Sequence, residues 1–292
     1  MAVASLQAGG RARRRKLVNR LVEGFAILSA VAAIAVLVLV IGSVLMKGID
    51  SLSWSFLTET PVTFGETGGG IANAIVGSAL LIGMATVMAV PVGVLVAIYV
   101  IEFAPGPISR GIRLSLDVLN GVPSIVIGIF VFTLLIVGHH QSALAGSFAL
   151  AVIMLPLIAR STQEVLELVP GHLREASYAL GVSRWRTVLS VVLPTALGGI
   201  VTGATLAVAR AAGETAPLLF TTSVAPTRIS TDVHQAVQSI PLTIFQYAEA
   251  PDPALNNQAW AAAFVLISFV LVLSLGARAA LARSRRKLGD TR

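Results

Sequence analysis

The chain has 292 residues, 55% of them hydrophobic and only 12% charged, with a mean hydropathy of +0.86. A water-soluble domain of this length cannot hide that much apolar surface, so lipid must be the solvent for most of it. The formal charge of +7 does not point to nucleic acid, because the basic residues flank apolar runs and form no face interleaved with aromatics. The absence of cysteine excludes disulfides, thiolate metal sites and cysteine nucleophiles. His139, His140, His172 and His234 offer no metal-ligand spacing, so neither a metal nor a cofactor is expected.

Charge-free stretches divide the rest, in chain order, at 24–46, 67–101, 118–138, 141–159, 187–209 and 253–277. Each approaches or exceeds the roughly 20 residues that a helix needs to cross hydrocarbon. The first has a basic lead at 11–16 like a signal peptide, but its apolar run is too long and no convincing small-residue cleavage site follows, so it should stay as an anchor. The connector at 48–70 carries Asp50, Glu59 and Glu66 and the amphipathic piece Ser53-Trp54-Ser55-Phe56. In the second stretch Gly68, Gly69 and Gly70 mark a loop, and the helix should begin near Ala72. Asp117 and Asn120 open the third, and His139-His140-Gln141-Ser142 reads as a tight turn into the fourth. A charged segment, 160–186, precedes the fifth, which Pro194 should introduce. The connector that follows carries Asp232 and Glu249. Both outer connectors are long enough to fold over the outer end of the bundle and meet a soluble partner, while the first could equally be a plain solvated link. The expectation is an all-α integral membrane protein with six transmembrane helices.

Lysine and arginine placement sets the orientation. With the N-terminus inside, 18 of the 21 basic residues fall on the inner side, while Lys47 and Arg228 fall outside and Arg210 lies near the outer end of the fifth span. Both termini should be cytoplasmic, in a bacterial inner membrane.

The charged segment contains E-A-S-x-x-x-G, made by Glu175, Ala176, Ser177 and Gly181. After nine intervening residues comes V-x-L-P, with Val191, Leu193 and Pro194. Residues 172–180 read as a short helix with Gly181 as its stop. Ala176, Ser177 and Ala179 keep one side low, and Leu173 and Leu180 offer apolar anchors to a partner. The pattern resembles the EAA loop of ABC importer permeases, where it engages the ATPase subunit. The chain has no G-x-x-x-x-G-K-[ST] loop and its lysines are Lys16, Lys47 and Lys287, so no ATP phosphates are cradled here. It should be a transport subunit and no enzyme, with ATP hydrolysed by a separate polypeptide.

Arg210 follows the fifth apolar run, Glu214 stands four residues on, and Arg160 ends the fourth run. Charges within or beside spans are costly and hence suggestive. A guanidinium fork at depth suits an oxyanion, whereas Arg210 and Glu214 at i,i+4 would also neutralise each other; both readings stay open. The block L-A-V-A-R-A-A-G-E-T-A-P-L-L-F at 206–220 resembles the phosphate-import permeases of the PstA type. So do L-R-E-A-S-Y-A-L-G at 173–181, N-G-V-P-S-I-V-I-G at 120–128 and I-P-L-T-I-F at 240–245. The resemblance covers nearly everything from Gly70 onward. It implies the type I ABC importer permease fold with a cytoplasmic coupling helix. It also implies partners: a homologous PstC-like second permease, two PstB-like ATP-binding subunits and an extracytoplasmic PstS-like phosphate-binding protein. Arg160 and Arg210 match arginines associated with phosphate movement, although Gln163 stands where relatives can place a carboxylate. The layout implied is a basic tail at 1–23, the first helix and outer loop at 24–71, a permease core at 72–282 and a basic tail at 283–292. The core would hold a coupling loop at 160–186 and an outer loop at 212–256. Molybdate, sulfate or phosphonate would suit the same arginines. A secondary transporter is disfavoured by the docking loop and by the lack of inverted repeats. A membrane-embedded enzyme would need a nucleophile–base or metal set that the spans do not carry.

Overall fold

A computed structural model describes residues 10–62, 68–225 and 227–289. The extremities of both basic tails, Glu66 and the first residue of the 67–101 stretch lie outside the described residues. Among the described residues every regular element is a helix. Five are long and apolar enough to cross a membrane, and a sixth span exists only if one sharply bent pair is taken together.

The first helix, α1 (Gly10–Ile49), is one unbroken rod whose apolar side chains from Leu17 to Val40 face outward. A helix that is apolar all round and uncovered by protein belongs in lipid. Near its C-terminal end it meets α12 (Pro253–Gly289), where a Cβ on Gly48 would strike the Trp260 carbonyl. The short α2 (Trp54–Thr58) is capped by Ser53 and buries Phe56. Its Phe56 carbonyl accepts from the Ile71 N–H at 2.8 Å, which seats it on the start of the next helix.

That helix, α3 (Ala72–Ile98), begins where the glycines predict and continues as a wider π-helical turn, Tyr99–Phe103. It packs along α6 (Ala143–Glu167), and α9 (Leu193–Ala212) packs on α6 and also touches α3. Leu81, Ala85, Leu150, Met154, Ile158, Ala207 and Ala211 form the shared core. Small residues set the spacing, as expected where packing drives association in lipid. A Cβ on Gly93 would lie 2.9 Å from the Ile158 side chain, and one on Gly203 would collide with Ser161.

The third expected span, 118–138, is not a straight helix. The chain forms α4 (Gly106–Gly121), then α5 (Ser124–Val131) with a π-helical extension, Phe132–Ile136, and the two limbs meet at 98°. The reason is Pro123, which lacks an N–H and forces Val122 into extended backbone. The second limb rises only about 20 Å at 1.5 Å per residue, short of a full crossing. The tight turn expected at 139–142 falls earlier, where the His139 N–H donates to the Ile136 carbonyl at 2.7 Å and Gly138 takes φ +82°, and extended Ser142 caps α6 through the Ala145 N–H. The fifth span starts earlier than expected. Helix α8 (Arg184–Thr187) runs through a π-helical turn, Val188–Val192, directly into α9. Pro194 therefore sits inside a continuous span, and the widened turn just ahead of it accommodates its missing N–H.

Between α9 and α12 the connector holds α10 (Ala216–Thr221), packed on α5, and α11 (Ile240–Glu249), packed on α12. Replacing Gly203 with Leu should overpack the α6–α9 seam at a cost of about 1–3 kcal/mol. The check is a lower melting temperature of the detergent-extracted chain by fluorescence-detected gel filtration, with Gly83→Leu, at an open position, as the unaffected control.

Candidate functional site

The segment carrying E-A-S-x-x-x-G forms α7 (Gly171–Ala179) at one end of the bundle, here the loop end. Its stop has a defined geometry. Val182 N–H donates to the Ser177 carbonyl at 3.2 Å and Gly181 N–H to the Tyr178 carbonyl at 2.9 Å. This is the Schellman arrangement, and it needs the left-handed residue that Gly181 supplies at φ +75°. The glycine is thus fixed at its offset from the serine by the closing hydrogen bonds.

The faces of α7 are unequal. Glu175, Ala176, Tyr178, Ala179 and Leu180 are exposed, Leu180 by 83%. Ser177 is buried and shares a 2.8 Å hydroxyl–hydroxyl hydrogen bond with Thr187 of α8. Leu173 packs inward on a cluster with Leu166, Val169 and Val188. Ser177 and Leu173 therefore hold the helix from behind, while Glu175, Ala176 and Leu180 are presented.

The strongest attachment was not legible in the sequence. Arg174 donates to Glu102 Oε1 through Nε at 3.1 Å and Nη2 at 2.8 Å. The same guanidinium donates to the carbonyls of Val169 at 2.7 Å and Leu166 at 3.0 Å. Glu102 is only 4% exposed, so this carboxylate depends on its arginine. One side chain on α7 thereby grips the π-helical end of α3 and the C-terminal carbonyls of α6. The only hint in the sequence was a single carboxylate directly after the 67–101 apolar run. Two further ion pairs lay α4 across α6 at this end: Arg113 to Glu167 at 2.7 Å, and Arg160 to Asp117.

All three nitrogens of Arg160 are engaged. Its Nε donates to Asp117 Oδ1 at 2.8 Å, its Nη1 to Gln163 Oε1 at 3.2 Å and its Nη2 to the Arg113 carbonyl at 3.1 Å. The carboxylate missing at position 163 is supplied by Asp117 from α4. Arg210 differs. Its Nε stands 3.6 Å from Glu214 Oε1 and its side chain is 52% exposed. That distance exceeds a hydrogen bond, so the guanidinium keeps its donors. The two arginines do not share one site. Ser161 lies level with Gly203, and Arg210 is seven residues further along α9, about 10 Å at 1.5 Å per residue, toward the far end.

The geometry is that of a multi-span helical membrane protein that holds out a short, glycine-stopped helix at one end. Solved structures share the fold. The MetNI methionine ABC transporter in inward-facing conformations aligns with a TM-score of 0.56 over 73% of this chain and 94% of that chain, at 22% identity. A bacterial alginate ABC transporter in complex with its alginate-bound periplasmic protein aligns at 0.65 over 91% and 96%, at 13% identity. The chain belongs to the family described as binding-protein-dependent transport system inner membrane component, whose model matches residues 89–288. Among its relatives are the phosphate transport system permease proteins PstA of Yersinia pestis and PstA 1 of Mycobacterium tuberculosis. The first is 39% identical over 94% of this chain and 92% of its own length. The second is 39% identical over 90% and 87%.

Glu102→Gln should loosen α7. In hydrogen exchange of the purified chain, amides at 171–182 should gain deuterium faster, while α1 and the α6–α9 seam keep wild-type protection. Unchanged exchange at α7 would mean that the packing of Leu173 and Ser177 suffices.

Proposed function

We propose that this chain is the permease subunit that carries inorganic phosphate into the cytoplasm as part of an ATP-driven importer. The observation that carries this reading is identity of about 39% with PstA proteins over nine-tenths of the chain. The partners follow from the same likeness: a PstC-like second permease, two PstB-like ATPase subunits at the loop end and a PstS-like binding protein at the far end. The loop end, with Arg110, Arg113, Arg174, Arg184 and Arg186, is then cytoplasmic, in keeping with the positive-inside bias. Both termini share that side.

In this reading the exposed face of α7, with Glu175, Ala176 and Leu180, sits in a groove of the ATPase. Ser177, Leu173 and Gly181 keep its shape. When the ATPase dimer closes, α7 moves, and Arg174 transmits the displacement to the ends of α3 and α6 together. Those helices line the route between the two permeases, which alternates between inward-open and outward-open. Arg210 meets the oxyanion, because its guanidinium is exposed and unfilled. Glu214 keeps it aimed and moderates its charge so that the anion can leave. Arg160, with all three nitrogens engaged, acts as a latch between α4 and α6 that opens or re-forms as the pore switches. Guanidinium alone does not separate phosphate from sulfate or molybdate, so selectivity rests chiefly with the binding protein.

The test is uptake of radiolabelled phosphate at low external phosphate in cells with and without this chain, challenged by excess sulfate or molybdate. Loss of uptake with the chain, and resistance to both competitors, is expected; uptake abolished by molybdate or sulfate would reassign the cargo. Arg210→Gln should lower uptake about tenfold or more, the equivalent of one charge-assisted hydrogen bond of about 1.5 kcal/mol. Gly181→Pro and Glu175→Lys should leave the chain in the membrane, as seen by immunoblot of membrane fractions, yet abolish transport. Normal uptake in those variants would remove α7 from the coupling path.

A further inference from the structure

At the far end, two segments distant in sequence enclose a cleft of about 980 Å³. One wall is the end of the α5 limb and the turn after it, with Phe132, Ile136, His139 and His140. The other is the connector after α10, with Arg228 and His234. The walls are pinned. Gln141 donates to the Phe220 carbonyl at 3.1 Å and accepts from the Val224 N–H at 2.8 Å. The Ala143 and Leu144 N–H groups donate to the Gln235 and Val233 carbonyls at 2.8 and 3.0 Å.

The charge of this cleft is one-sided. Three imidazoles and a guanidinium line it, and among the described residues no carboxylate does. The neighbouring Asp232 turns its Oδ1 to the His234 backbone N–H at 2.9 Å. Arg228 uses one nitrogen, at 3.4 Å, on Gln235 Oε1, which leaves most of its five donors open. None of the three imidazole rings makes a hydrogen bond within the chain among the described residues. A metal is not the reason for gathering them, since no three His, Cys, Asp or Glu side chains among the described residues stand close enough to hold one. Cationic and N–H donors without internal acceptors, beside an apolar wall that thins the water, are the chemistry that holds an oxyanion.

We propose that this cleft is an antechamber for a small tetrahedral oxyanion, held with part of its water shell by Arg228, His139, His140 and His234 before it reaches Arg210. The inference rests on the reading above that the far end faces outward and that the cargo is an oxyanion. Its place fits, because Gln141 ties the turn directly to the chain that follows the Arg210–Glu214 pair. The cleft would keep released anion from escaping while the pore opens, and it would discriminate by charge alone.

The test uses the whole transporter in lipid nanodiscs without its binding protein, and inorganic phosphate as the probe, by equilibrium dialysis of radiolabel. To set aside the pathway arginine, the comparison is made in an Arg210→Gln background. The combined Arg228→Gln, His139→Gln, His140→Gln and His234→Gln variant should bind phosphate about tenfold more weakly. His172→Gln, an imidazole at the opposite end, should bind as the parent does. Arg228→Glu alone, a change at an exposed position, should weaken binding comparably and guards against misfolding of the combined variant. Equal binding by parent, combined variant and Arg228→Glu overturns the antechamber, while normal phosphate uptake by cells with the wild-type transporter and its binding protein would leave the phosphate assignment standing. If sulfate or molybdate binds in place of phosphate and the same variants weaken it, the antechamber stands and the phosphate assignment falls.

Discussion

The guanidinium of Arg174, packed against the buried carboxylate of Glu102, is the contact on which the loop end is organised. Neither charge is tolerable there alone, since removing one partner of a buried pair strands the other in a poorly solvated site. Because the same guanidinium also satisfies the Leu166 and Val169 carbonyls, it closes the C-terminal end of α6, where the last carbonyls have no partner within the helix. The position of α7 is therefore tied to two spans at once. Four hydrogen bonds from one side chain thus give this short helix a fixed seat.

The two ends of the molecule are held by different physics. At the loop end, ion pairs cross between helices: Arg174 to Glu102, Arg113 to Glu167 and Arg160 to Asp117. At the far end, neutral groups do the work. Thr222 exchanges hydrogen bonds with Val237, Ser78 accepts from the Ile240 N–H, and Gln141 knits the turn to the connector. Between them lies a layer with few polar side chains, in which glycines and alanines set the helix spacing.

The helices also carry built-in irregularities where the bundle needs to bend. Pro91 and Pro156 lie within α3 and α6, and each removes one backbone donor, which a neighbouring helix must compensate in lipid. The π-helical turns at Tyr99–Phe103 and Val188–Val192 both touch the mount of α7, the first by holding Glu102 and the second by packing against α7 itself. A π-helical turn is a local departure from the α-helical hydrogen-bond pattern, so both spans beside α7 carry an irregular joint there.

The residues alone determined that this is a helical membrane protein, roughly where its spans run, and that a short helix ending at Gly181 stands between two of them. Those features are local: hydropathy, charge flanks and the φ of a glycine are written in neighbouring positions. Arg210 and Glu214 stand 3.6 Å apart, but Glu214 lies past the end of α9, so the turn at Gly213 and not a continuous helix sets that distance. Tertiary structure decided the rest. Pro123 folded the expected third span into two limbs, since the bend depends on what each limb packs against. Ser177 and Leu173 proved to face inward, and which side of a short helix is buried is set by its mount. Asp117 replaced the carboxylate absent at Gln163, and Glu102 found Arg174 across 72 positions. Such partnerships join residues that no periodicity connects, so only packing could choose them.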